Sequence, residues 1–240
     1  MRPPLRPDST QLTRVADAGL AFVLVVVAVS AAIRLNAAGG WAGSLLSEGQ
    51  VHALRVVHRI AATLEVVAAA WAFWLLARRR AWIPAAALLV LTAGLAALGI
   101  VAGQGPSPLQ ALGNVAGGLA LASTFGWVSG AARGEGRRML PAIATIGLAL
   151  LAVQVVVGAR LSIFDRFAMP ALPLHAYVGL GLAAWLVSAR RTLLTVLAVA
   201  APLAGFSALH YEYSGGAALV HALTAALLVA AAARLLGESA

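Results

Sequence analysis

The chain has 240 residues, of which 62% are hydrophobic and only 10% charged, and its mean hydropathy is +0.92. A composition this apolar lies outside the range of soluble globular domains and indicates a polytopic protein whose first partner is the lipid bilayer. The net charge of +9 comes from 17 arginines spread between apolar segments, not gathered into a patch or stripe, which argues against nucleic acid as a partner; the absence of cysteine excludes disulfides, thiolate metal sites and iron–sulfur clusters.

Stretches apolar and long enough to cross ~30 Å of hydrocarbon as helices are read at 15–35, 53–77, 82–102, 109–129, 139–159, 172–189, 192–209 and 215–236. Eight transmembrane helices are therefore expected. The first has too long an apolar run for a cleavable signal peptide, and no small-residue cleavage motif stands out, so it is expected to remain in the chain.

Arginine placement gives the expected orientation. Arg2, Arg6, Arg14, the Arg78–Arg80 run, Arg133, Arg137, Arg138, Arg190, Arg191 and Arg234 fall on one side. Only Arg34, Arg55, Arg59, Arg160 and Arg166 fall on the other. Both termini are thus expected to be cytoplasmic, and the even-numbered helices to enter from the outer surface.

That topology brings four polar residues to one depth in the outer leaflet: His58, Asn114, His175 and His221, each just inside an even-numbered helix. An ionisable side chain at membrane depth is costly and marks a functional site by default. The positions also repeat. Ala111-Leu112-Gly113-Asn114 resembles Ala218-Leu219-Val220-His221, Val57-His58 resembles Leu174-His175, and Ala32-Ile33-Arg34-Leu35 resembles Gly158-Ala159-Arg160-Leu161. Each half starts and ends inside, so the repeat is parallel, about an axis along the membrane normal. The expected architecture is all-α, eight transmembrane helices forming two pseudo-symmetric four-helix bundles, residues 1–132 and 133–240. A glycine-rich, charged linker from Gly130 to Arg138 joins them.

Side chains from facing helices of a bundle are where cofactors are held. Two histidines on neighbouring helices, with no cysteine or carboxylate cluster beside them, favour a haem iron over zinc or copper. His175 and His221 are the candidate axial ligands in the C-terminal half, and His58 is the remaining candidate iron ligand in the N-terminal half. The competing reading is that each histidine only hydrogen-bonds a neighbouring helix. Among the outer-side cations Arg34, Arg55, Arg59, Arg160 and Arg166, guanidinium forks suit haem propionates, whereas snorkelling to the interface is the ordinary role of any one of them. His52 and His210 read as interfacial or solvated. Tyr211, Tyr213, Trp71, Trp74 and Trp82 read as aromatic belts, and Gly117-Gly118 and Gly179-x-Gly181 as close helix packing.

Taken together, Ile33-Arg34-Leu35-Asn36-Ala37-Ala38-Gly39, Val57-His58-Arg59 and the Gln154–Gly158 stretch make the whole chain resemble the haem A synthase family. Its members are eight-helix, two-half proteins with a histidine near the outer end of each even-numbered helix. The resemblance implies that His175 and His221 bind haem b. It implies that the N-terminal half meets haem O at a catalytic His58, and that a haem methyl is oxidised to a formyl group, giving haem A. It also implies a bacterial-type inner (cytoplasmic) membrane location, with haem O synthase or a terminal oxidase as partner. The chain departs from the family pattern in the N-terminal half. Asn114, or Gly113 under a one-residue shift, stands where the family has its second histidine. Arg55 stands where it has a glutamate, with Glu48 and Glu65 the nearest carboxylates, and the paired loop cysteines of some members are absent. An iron held by His58 alone would keep an open position, as oxygen activation requires. The alternative is a non-catalytic haem b protein, an electron carrier or a haem chaperone in oxidase assembly.

Overall fold

A computed structural model describes residues 7–37, 46–103, 106–134, 141–163, 171–188, 192–210 and 215–239. These form α1 (Pro7–Ala37), α2 (Glu48–Arg78), α3 (Trp82–Ala102), α4 (Pro108–Arg133), α5 (Pro141–Ile163), α6 (Ala171–Ser188), α7 (Thr192–His210) and α8 (Gly215–Glu238). The protein is an all-α, multi-pass membrane protein: among the described residues, α1 to α5 and α8 are long and apolar enough to cross a bilayer, while the apolar parts of α6 and α7 are shorter. The eight expected helical segments are all present as helices. Many of their large apolar side chains face outward, among them Ile83, Val90, Ile100 and Phe206, as lipid-facing positions do.

The entrances of α2 and α4 carry the same local device. Ser47 and Ser107 are N-caps whose side chains accept from the backbone N–H of Gln50 and Gln110, and those glutamines accept from the cap N–H in return. Both capping boxes satisfy backbone donors that a helix start otherwise leaves open. Asn36, in the last turn of α1, accepts the N–H of Leu46 at 2.7 Å and so pins α1 to the approach of α2.

Packing follows a cyclic order twice. α1 touches α2 and α4, and α3 closes the ring between α2 and α4; α5 touches α6 and α8, and α7 closes the second ring between α6 and α8. Each ring has its own apolar core. Leu88, Leu121 and Phe125 are fully buried in the first, Leu182 and Leu186 in the second, and Trp127 packs against both.

The rings meet chiefly where α4 lies along α8, the most extensive helix pair in the chain. Small residues make this approach possible. A Cβ at Gly126 would come within 2.5 Å of the Ala230 carbonyl oxygen, and one at Gly130 or Gly237 would run into the facing backbone. Gly126 and Gly130 form a small-xxx-small pair, the spacing that lets two helices in lipid approach backbone to backbone. The contacts Gly126–Ala230 and Gly130–Arg234 keep one offset along both chains, so α4 and α8 run parallel. At one end, an ion cluster ties three helices: Arg133 Nη2 lies 2.7 Å and Arg234 Nη1 3.5 Å from the Asp17 carboxylate, which also accepts from Ser129 Oγ at 2.6 Å.

Candidate functional site

α5 and α6 pack antiparallel in a register that three glycines define. Going along α5, Gly147 faces Trp185, Gln154 faces Gly179 and Gly158 faces His175. Each contact has a glycine on one helix and a large or polar side chain on the other, because a second Cβ would not fit. At Gly158 it would stand 2.9 Å from His175 Cε1, and at Gly179 it would stand 3.0 Å from Gln154 Nε2.

α7 and α8 repeat the device. A Cβ at Gly205 would stand 3.0 Å from His221 Cε1. Both histidine rings of this half thus lie in a hollow left by a glycine on the preceding helix. The two hollows face one another: the His175 and His221 ring centroids are 6.0 Å apart and their planes perpendicular.

The hydrogen bonds indicate the tautomer of each ring. His221 Nδ1 lies 3.1 Å from the Ala201 carbonyl oxygen, which only accepts, so Nδ1 carries the proton and Nε2 keeps its lone pair. Gln154 Nε2 lies 3.4 Å from His175 Nε2. An amide nitrogen only donates, so with the amide oriented as drawn His175 also has its lone pair on Nε2 and its proton on Nδ1. The same tautomer on both rings puts a lone pair on each Nε2, the one on His175 being engaged by the Gln154 amide.

At this centroid spacing, 6.0 Å, His175 and His221 are the two residues that could hold one metal between them. Metal–imidazole bonds are ~2.0–2.1 Å and the nitrogen sits about 1 Å from its ring centre, so ligands on opposite sides of one ion have centroids roughly 6 Å apart. A ligating histidine also gives its other N–H to a carbonyl or similar acceptor, as His221 does to Ala201. Among the described residues no group of three or more His, Asp or Glu side chains gathers as a metal cage. A macrocycle that brings its own four nitrogens needs no such cage and asks only for the pair.

The N-terminal ring is built differently at the corresponding positions. His58 is half-buried on α2 and Asn114 half-buried on α4. Leu98 precedes Gly205 by the same 107 residues that separate Asn114 from His221. Where Gly205 makes room for an imidazole, Leu98 fills the space with its own side chain, 3.1 Å from where a Gly113 Cβ would be. Ala32, buried, replaces Gly158 on α1. Deeper in this half Glu65 is buried and accepts a 3.1 Å hydrogen bond from Thr92 on α3, which satisfies it within the helix pair.

Of the candidate propionate partners, Arg34 is half-buried in the last turn of α1 and Arg160 is exposed in the last turn of α5. Arg59 is exposed and lines a shallow depression with Ile60, Thr63 and Leu64 on α2, which no histidine borders. Arg166, Tyr211 and Tyr213 lie outside the described residues, as does the side chain of His210; His52 is exposed. Gly117, Gly118 and Gly181 face Leu95, Val27 and Leu150, the packing role expected for them. Sequence reasoning did not single out Gly158 and Gly205 as the histidine hollows or the Ala201 carbonyl as a partner. A repeat comparison carried from the histidines to the preceding helix would have found the glycines, whereas a backbone carbonyl leaves no trace in a sequence.

Comparison with family models, with curated proteins and with solved structures finds no match for this chain.

Proposed function

We propose that this chain is a membrane oxidoreductase that holds haem b between His175 and His221, with an architecture like that of haem A synthase. Residues 1–132 and 133–240 are its two pseudo-symmetric four-helix bundles, all eight helices crossing a bacterial-type inner membrane with both termini cytoplasmic. The observation that carries the reading is the perpendicular pair of rings, 6.0 Å apart, each in its own glycine hollow.

Haem b bound there supplies one-electron redox chemistry. The rest belongs to the chain. Gly158 and Gly205 give the rings their places, Ala201 holds His221 in the ligating tautomer, and Arg160 stands at the α5 end of the site for a propionate. In the haem A synthase reading the N-terminal bundle would receive haem O beside His58, with Arg34 and Arg59 as propionate partners; taking its methyl group to a formyl group is a four-electron oxidation for which dioxygen would be the oxidant, reduced to water.

A second reading rests on a specific observation. Leu98, Ala32 and Asn114 replace the glycine hollows and the histidine in the N-terminal bundle, which favours a haem b protein without that chemistry, an electron carrier or a haem chaperone for a terminal oxidase. Co-expression with a haem O synthase and mass analysis of extracted haems separates the two. Haem A or its hydroxylated precursor is the enzyme's signature, and unchanged haem O beside stoichiometric haem b is the carrier's. Purified protein reconstituted with haem that lacks a six-coordinate Soret spectrum would overturn both.

A further inference from the structure

Two buried polar atoms of the site have no hydrogen-bond partner among the described residues: Gln154 Oε1 and His175 Nδ1. They belong to side chains already in contact, since the Gln154 amide reaches His175 Nε2. A buried polar atom left unpaired is costly, and two such atoms of complementary type side by side call for an explanation. Oε1 only accepts, and Nδ1 in this tautomer only donates.

The two histidines also differ in one respect. His221 gives its Nδ1–H to a backbone carbonyl, whereas the Nδ1–H of His175 goes to nothing described. The neighbouring helix offers Gln154 in place of a carbonyl. Gly179 leaves this side chain space beside α6, and Gly158 leaves the edge of the imidazole open between Nε2 and Nδ1. A small swing of the amide is thus unobstructed by a Cβ on either helix.

We propose that Gln154 is the positioning residue of His175. Its amide N–H holds Nε2 in this structure, and once Nε2 is given to an iron its carbonyl oxygen accepts the Nδ1–H. Both orphan atoms are then satisfied, and both axial imidazoles donate to a carbonyl. Such a bond raises the basicity of the ligand and favours the oxidised iron. This rests on the haem reading above and names what tunes that haem.

The test is a redox titration of the full-length chain reconstituted with haem b, comparing wild type with Gln154→Leu, Gln154→Met and Gln154→Glu. The six-coordinate spectrum is expected in all four. Loss of the acceptor in the Leu and Met variants shifts the midpoint potential upward, by about tenfold in the reduction equilibrium, or about 59 mV for one electron. Gln154→Glu, which restores an acceptor oxygen, returns it to the wild-type value or below. Equal potentials across all four would overturn the role of Gln154 while leaving the ligand pair standing. A wild-type chain with no six-coordinate spectrum would overturn the ligand pair itself, and this role with it. If one apolar variant fails to accumulate, the other supplies the comparison.

Discussion

His175 and His221, separated by 46 residues in sequence and carried on helices α6 and α8 whose backbones stay apart, bring their rings to 6.0 Å in a perpendicular arrangement. α5 and α7 do the positioning, each with one glycine. The histidine pair is therefore a property of four helices, and changes on any of them reach it.

If His175 and His221 hold the haem iron, removing either ring removes one of its two protein ligands. His175→Ala and His221→Ala are each expected to convert a six-coordinate, low-spin haem b to a five-coordinate or weakly bound one, with the Soret and electron paramagnetic resonance spectra as the readout. Asn114→Ala should leave those spectra unchanged. A His221→Ala protein with the wild-type spectrum would contradict the assignment.

The glycine hollows admit no side chain. Gly205→Val and Gly158→Val are expected to lower haem affinity by about 10–100-fold, the range seen when the support of a metal ligand is disturbed. Gly99→Ala, where a Cβ would meet nothing within 4 Å, serves as the control. Haem titration monitored by absorbance decides the matter, and equal affinity for Gly205→Val and Gly99→Ala would count against the hollows.

The N-terminal bundle should be convertible. Leu98→Gly with Asn114→His restores the two features that α7 and α8 have and α3 and α4 lack. The double variant is expected to bind one more haem per chain than wild type, measured as pyridine haemochrome against protein. Asn114→His alone, with Leu98 still occupying the hollow, should gain less.

Helix association at the α4–α8 seam depends on backbone approach. Gly126→Leu and Gly130→Leu are each expected to destabilise the protein by about 1–3 kcal/mol or more, the cost of forcing volume into a packed interface. Thermal unfolding in detergent checks this, and an unchanged midpoint for Gly130→Leu would mean that the seam has room for the added side chain.

The Asp17 cluster is worth less per bond. Asp17 and Arg133 side chains are 35% and 36% exposed, so their pair is screened and contributes about 1 kcal/mol at most. Because Asp17 also accepts from Ser129 and lies near Arg234, Asp17→Ala should cost more than Arg133→Ala. A double-mutant cycle on the unfolding midpoint measures the coupling.

The amino-acid sequence determined the environment, the helices and their order by itself, because lipid leaves so few choices. A backbone that finds no water must bond to itself, and long apolar runs such as 82–102 then have no alternative to the helix. It also determined where to look. His58, Asn114, His175 and His221 stand out because a polar residue in such a run is expensive, and a 107-residue offset relates Asn114 to His221. Only the tertiary structure decided which of them meet. Whether two imidazoles 46 residues apart face each other depends on the seats that other helices leave for them, and Gly158, Gly205 and the Ala201 carbonyl are not adjacent to either histidine in sequence. The same holds for the contrast between the halves. Leu98 is one more leucine in an apolar helix until packing shows its side chain against Gly113 at the place where the other half has Gly205, since shape complementarity between neighbouring helices is written in pairs of positions that no single segment contains.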